Sequence, residues 1–99
     1  MAEKVVVYWR DIPAQVIVRA GRRTAKRQLP ERFEQAIDRA AMRAGLTGTD
    51  AYLEQWRRGA PVACGEDLDA EADAAAAALE TEYTVERVRA LVANGGNAV

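Results

Sequence analysis

The sequence predicts one α+β domain, with a small antiparallel sheet of about three strands, helices packed on one face of it, and an acidic helical C-terminal part. Three observations support this fold. Short β-branched runs open the chain, apolar residues recur at helical spacing after Pro30, and an alanine-rich stripe follows residue 64. The 99 residues fit one small domain. We assign residues 1–63 to an α+β core domain and residues 64–99 to an acidic helical extension of the same domain.

The predicted sheet comes from three segments near the start of the chain. Residues 5–9 are β-branched and aromatic, which is typical of a buried strand, and the proline in residues 11–13 predicts a turn. Residues 15–20 form the second predicted strand, which ends at Gly21, a residue suited to a hairpin turn. Residues 23–29 alternate basic and small side chains. They predict a third strand at an edge of the sheet, where Lys and Arg oppose aggregation.

Two helices are predicted to follow the sheet. The first starts near Pro30, which suits the first turn of a helix, and stops at Gly45. Its apolar side chains recur at helical spacing and are Phe33, Ile37, Ala40, Ala41 and Ala44. The second has Thr47 or Thr49 as its N-cap and ends at residues 59–61. Its inward side chains are expected to be Tyr52, Leu53 and Trp56, with the indole covering the core.

The acidic part predicts two further helices. Apolar residues at spacings of four, three and four form a narrow stripe of Leu68, Ala72, Ala75 and Leu79. Because alanine is the best helix former, we expect a helix over residues 68–82. Thr84 is a candidate cap for a last short helix. We expect all the apolar residues that form the core to lie before residue 64.

Few catalytic chemistries are open to this composition. The chain has no histidine and one cysteine, Cys64, so a disulfide framework is excluded and a zinc site lacks its usual ligands. Cys64 has no histidine base to activate it, and the acidic neighbours at residues 66–67 oppose a reactive thiolate. Residues 45–49 lack the lysine of a phosphate loop, and the acids at 66–73 lack the calcium-loop pattern. We predict no catalytic residue, no metal site, no cofactor and no enzymatic activity of the chain's own.

No segment predicts export or membrane insertion. Glu3 and Lys4 flank an apolar run that is too short for a signal peptide. No stretch reaches the roughly 20 apolar residues that a membrane-spanning helix needs. We therefore expect a cytoplasmic protein.

Charge is distributed unevenly along the chain. Residues 1–58 carry twelve basic and seven acidic residues, whereas residues 59–99 carry two basic and eight acidic ones. We predict that a basic run of the first part binds a partner protein. This run consists of Arg19, Arg22, Arg23, Lys26 and Arg27. Three interpretations of this run stay open: a solvated edge, a docking surface for an acidic protein or anion, and a phosphate-binding surface for nucleic acid, with Tyr8 and Trp9 stacking on bases. The net charge of −1 makes nucleic acid the least favoured of the three.

Three motifs occur in order within residues 4–60. They are residues 8–16 (YWRDIPAQV), residues 21–26 (GRRTAK), and residues 29–43, which open with LPERF and close with IDRAAMR. In this order they resemble a small bacterial family called virulence factor, and a module of the larger conserved virulence factor C. The acidic tail from about Cys64 lies outside the resemblance. The resemblance implies no reaction and no catalytic residue. It implies that the protein is encoded beside enzymes of folate and corrinoid one-carbon metabolism.

We therefore predict a non-catalytic accessory or protein-interaction subunit of a bacterial complex. One alternative is a small subunit of a folate or corrinoid one-carbon enzyme, which would contribute contacts rather than the catalytic group. The other is a nucleic-acid-binding module. The acidic helices either dock on the basic surface of their own chain or reach the partner.

Overall fold

The computed structural model describes residues 1–46, 48 and 50–98, which form an α+β structure of five strands and four helices. The strands are β1 (Ala2–Trp9), β2 (Ile12–Ala20), β3 (Arg23–Gln28), β4 (Trp56–Arg58) and β5 (Val62–Cys64). The helices are α1 (Glu31–Ala44), α2 (Asp50–Glu54), α3 (Leu68–Glu82) and α4 (Val85–Ala93). The α+β class is confirmed, and the described sheet has two more strands than the sequence predicts.

All the described strands belong to one antiparallel sheet. The order is β3-β2-β1, and β4 and β5 both pair with the other edge of β1. β4 lies beside Val7–Trp9 at one end of β1, and β5 lies beside Ala2–Lys4 at the other end. The predicted third strand is confirmed as an edge strand, since β3 pairs only with β2.

The β1–β2 hairpin turns earlier than the proline indicates. Arg10 and Asp11 form the turn, and Arg10 has a φ of 53°. Pro13 lies inside β2 and opposite Tyr8, where the register shifts between Val7 and Tyr8. A bulge of this kind tolerates proline because the ladder is already interrupted there and the missing N–H costs little. Of the predicted turn residues 11–13, Asp11 does lie in the turn, whereas Ile12 and Pro13 belong to β2.

The second hairpin and the first helix follow the sequence signals. Gly21 turns the chain between β2 and β3 with a φ of 60°, which glycine adopts at little cost. α1 begins directly after Pro30, its N-cap residue. It ends at Gly45, whose φ is 73° and whose N–H donates to the carbonyls of Ala41 and Met42.

The region after α1 differs from the prediction. α2 has only five residues, and the predicted caps Thr47 and Thr49 lie outside the described residues. Trp56 starts β4 rather than ending a helix, because it pairs with Trp9 of β1. Trp56 is 38% exposed and Leu53 is 63% exposed, so neither covers the core. Tyr52 does face inward, since its ring packs against the core with its centroid 5.5 Å from that of Trp9. Its backbone carbonyl also accepts the Trp9 indole N–H at 2.9 Å.

One hydrophobic core joins the sheet to the helices. The sheet contributes Ala2, Trp9, Ile12, Val16, Val18 and Ala25. α1 contributes Phe33, Ala36, Ile37, Ala40 and Ala41. The acidic part contributes Leu68, Ala72, Leu79, Tyr83, Val88 and Leu91 to the same core. The predicted α3 and the Thr84 cap of α4 are confirmed, but the core does not lie wholly before residue 64.

Candidate protein-interaction surface

The five residues of the predicted basic run do not form one continuous surface. Side chains of a strand alternate between its two faces, and β3 pairs regularly with β2. Arg23 and Arg27 share the face of Ala25, which packs in the core beneath α3. Lys26 shares the opposite face with Arg19, and Arg22 lies in the hairpin turn. The fold therefore divides the run among three locations.

Arg27 is bound by the acidic helix of its own chain. Its Nε donates to Asp73 Oδ1 at 2.6 Å, and its Nη2 donates to Asp69 Oδ1 at 3.0 Å. The two acceptors are four residues apart on α3, so they lie on one side of that helix. Hydrogen bonds to Asp73 and then to Asp69 raise the pKa of Arg27 above its ordinary value. The acidic part thus docks in cis, and Arg27 is engaged there.

The other four cations differ in what surrounds them. Arg19 is paired with Glu3 across the β1–β2 ladder, at 3.0 Å between Nε and Oε1. Arg23 borders a shallow depression with the acidic start of α3, at residues 66–69, so nearby carboxylates offset its charge. Arg22 and Lys26 are exposed, and neither forms an ion pair with any described residue.

Lys26 belongs to a face of the sheet that we call the second face. By register its members are Glu3, Val5, Val7, Gln15, Ile17, Arg19, Thr24, Lys26, Gln28, Trp56 and Arg58, together with the buried Trp9 and Ile12 beyond the bulge. Val5 and Ile17 pair across the ladder and are buried, but they lie outside the main core. Arg58 is opposite Val7, is exposed, and forms no ion pair with the described residues. No periodic signal places Arg58 here, because β4 has only three residues.

A cleft with a volume of about 520 Å³ lies elsewhere, between the β1–β2 turn, β4 and α4. Two arginines stack on two tyrosines along its walls. The Arg57 guanidinium is 4.6 Å from the Tyr8 ring centre, and that of Arg87 is 4.2 Å from the Tyr83 ring centre. Burial raises the pKa of Tyr83 above its ordinary value.

Charge in this cleft is neutralised in pairs. Arg57 binds Asp11 at 2.9 Å, and Arg87 binds Glu82 at 3.3 Å. A hydrogen bond from the Ala98 N–H, together with the Arg57 guanidinium, lowers the pKa of Asp11. Because each guanidinium already has its carboxylate, the cleft offers little attraction for an anion.

Cys64 is half-buried in β5, opposite Ala2. Partial desolvation, and then the nearby Glu71 carboxylate, raise the pKa of its thiol. Among the described residues, no group of three or more His, Cys, Asp or Glu side chains is placed to hold a metal ion. None of the helices in the described part of the chain is long and apolar enough to cross a membrane.

Comparison with known proteins gives the family. The family described as virulence factor matches residues 7–92, from β1 to the last turn of α4. The match includes the acidic helix α3, which the sequence motifs had led us to expect outside the family. Neither the curated proteins nor the solved structures that were compared contain a match to the chain. The family match covers most of the sequence, and the chain therefore belongs to the virulence factor family.

Proposed function

We propose that this protein is a non-catalytic interaction subunit that binds an acidic surface of a partner protein. The docking surface comprises the second face of the sheet and the β2–β3 turn. The observation that carries the proposal is that Arg22, Lys26 and Arg58 are exposed cations without an ion pair among the described residues. Complementary charge of this kind speeds association and selects acidic partners.

The cis docking of α3 supports this choice of surface. α3 packs beneath β2 and β3 on the face that carries Arg27, and its Asp69 and Asp73 side chains bind that residue. A partner that approaches the second face does not need to displace α3. The cations available to a partner are therefore those that form no ion pair with a described residue of their own chain.

The positions of the aromatic residues favour a protein partner over nucleic acid. Trp9 is fully buried, and Tyr8 lines the cleft under the Arg57 guanidinium. Trp56 shares the second face with Arg58 by register, but its ring packs edge-on against Tyr52, with the ring centroids 6.3 Å apart, so one of its edges is already occupied. A folate or corrinoid one-carbon enzyme is the class of protein partner that the family resemblance implies.

The test is capture of partners by a tagged chain expressed in its native cell, at about 0.05 M and about 0.3 M salt. One variant carries Arg22→Glu, Lys26→Glu and Arg58→Glu. A matched control carries Arg39→Glu, Arg43→Glu and Arg89→Glu, which make the same change in net charge on α1 and α4. Circular dichroism establishes that both variants are folded.

We expect one or more captured proteins that the first variant loses and the control retains, with weaker capture by the wild type at the higher salt. Equal recovery by the first variant at both salts would refute the proposed surface. A protein that only the control loses would bind the surface of α1 and α4 instead. Loss of the same protein from both variants would also refute the proposed surface, because binding would then not depend on this surface in particular. Salt-sensitive capture of unrelated DNA would replace the proposal by the nucleic-acid alternative.

A further inference from the structure

A second surface is formed by α1 and α4, which run side by side in the same direction. Arg32, at the start of α1, donates to the Glu80 and Tyr83 carbonyls just before α4 begins. Arg43, near the end of α1, donates to the carbonyl of Ala93, the last residue of α4. Between the helices lies an open groove of about 300 Å³. The groove therefore follows most of the length of α4.

The floor of the groove is apolar. α4 contributes Val85, Val88 and Val92, which are spaced by three and four residues and form one stripe. Ala36 of α1 lines the other side. Val85 is 49% exposed, so a large apolar side chain in the groove is open to solvent. An apolar stripe of this spacing is what a helix presents to another helix.

The rim of the groove is basic. Arg39 and Arg43 border it from α1, and Arg89 borders it from α4; all three are exposed. None of the three forms an ion pair with a described residue, and the groove lining contains no carboxylate. Arg32 also borders the groove, but its guanidinium lies 4.2 Å from the Phe33 ring centre and serves the helix packing. The positive charge of the groove is therefore not neutralised by carboxylates of its lining, unlike that of the cleft between β4 and α4.

From this geometry we infer that the groove binds an acidic amphipathic helix of a partner protein. The apolar face of that helix packs on Val85 and Val92, with the buried Val88 between them, and its flanking carboxylates bind Arg39, Arg43 and Arg89. This inference goes beyond the proposed function, because it concerns a different face of the molecule and a defined class of ligand.

The length of the groove selects a helix over a small anion. Val85 and Val92 are seven residues apart on α4, which corresponds to about 10 Å. One carboxylate or phosphate group cannot cover an apolar stripe of that length. A helix places carboxylates one turn apart, about 5–6 Å, which matches the spacing of Arg39 and Arg43 on α1.

The probe is a fluorescein-labelled 18-residue helical peptide with Leu at positions i, i+3, i+4 and i+7 of each repeat and Glu on the flanks. Control peptides are a scrambled sequence of the same composition and one with Lys in place of Glu. Binding to the full chain is measured by fluorescence anisotropy, and the contact surface is mapped by amide chemical shifts in ¹⁵N-labelled protein. Decanoate is titrated separately as a small amphiphilic anion.

We expect the Glu peptide to bind more tightly than both controls and to shift amides of α1 and α4. Arg39→Glu with Arg89→Glu should weaken binding by about tenfold or more, and Val85→Asp should also weaken it. Arg22→Glu with Lys26→Glu makes the same charge change on the hairpin and should leave the affinity within about twofold. The hairpin positions belong to the docking surface of the proposed function. The experiment can therefore refute the groove without refuting that surface, and the reverse also holds.

Three results would overturn the inference: no binding at about millimolar peptide, equal binding of the scrambled peptide, or amide shifts confined to the hairpin. Decanoate that shifts the groove amides while the Glu peptide does not would also overturn it, in favour of a small amphiphilic ligand.

Discussion

Removal of residues 64–99 should unfold the protein rather than leave a smaller folded domain. The deletion takes five large side chains from the core, namely Leu68, Leu79, Tyr83, Val88 and Leu91. At about 1.5–3 kcal/mol for each fully buried side chain, the loss is about 8–15 kcal/mol. This loss is a gross term, because the deletion also removes the entropy cost of ordering residues 64–99. It is as large as the whole net stability of a small domain, about 5–15 kcal/mol, so we expect the remainder to be unfolded. The deletion also exposes the sheet residues that α3 covers.

The assay is urea unfolding followed by circular dichroism, with the full chain as the reference. A graded version tests the same reasoning: Leu79→Ala in the full chain should cost about 2–5 kcal/mol, because Leu79 is buried between α3 and the sheet. Leu53→Ala is the matched control and should change stability by less than about 0.5 kcal/mol, since Leu53 is mostly exposed. A cooperative transition of residues 1–63 near the midpoint of the full chain would show that the acidic helices are dispensable and that the burial argument is wrong.

Three further variants test other parts of the structure. Gly96→Ala should lower the free energy of unfolding in urea by about 1–3 kcal/mol more than Gly21→Ala does. The reason is that a Cβ at residue 96 would lie 2.8 Å from the buried Trp9 ring, whereas one at residue 21 meets no atom within 4 Å. Equal losses of stability would contradict the close contact. Asp11→Asn should lower the unfolding midpoint at pH 7 and lower it by less at pH 2. The reason is that hydrogen bonding from Ala98 and Arg57 lowers the pKa of Asp11 in the folded state, so its contribution is complete above the unfolded value near 3.8 and is lost as the pH falls through the folded value; an equal effect at both pH values would point to lost packing instead. Cys64 should react slowly with a thiol reagent at pH 7, since partial desolvation raises the pKa of its thiol, and Cys64→Ser should leave the fold intact; rapid labelling of the folded protein would contradict both points.

Elements that depend on local signals could be predicted from the sequence alone. Gly21 supplies the positive φ of the β2–β3 turn, and α1 lies between Pro30 and Gly45 because proline fits the start of a helix and glycine its end. The alanine-rich α3 and the Thr84 cap of α4 also follow from residue preferences within one segment. In each case the residues that decide the structure are neighbours along the chain.

Other features needed contacts between distant residues. β4 and β5 have three residues each, too few for a period of two to stand out, and they exist as strands because β1 offers them an edge. Pro13 lies within a strand because a bulge in the β1–β2 pairing accepts it. Neither effect can be read from the segment itself.

The candidate surfaces also depend partly on local sequence and partly on contacts between distant residues. Composition identified the basic run, but only the packing of α3 decided that Asp69 and Asp73 bind Arg27 while Arg22 and Lys26 stay without an ion pair among the described residues. The α1–α4 groove joins Arg39 to Arg89, which lie fifty positions apart in the sequence. The sequence by itself determined which charges this protein carries and which helices hold them. The tertiary structure decided which of those charges are neutralised, because an ion pair depends on distance in space and not on distance along the chain.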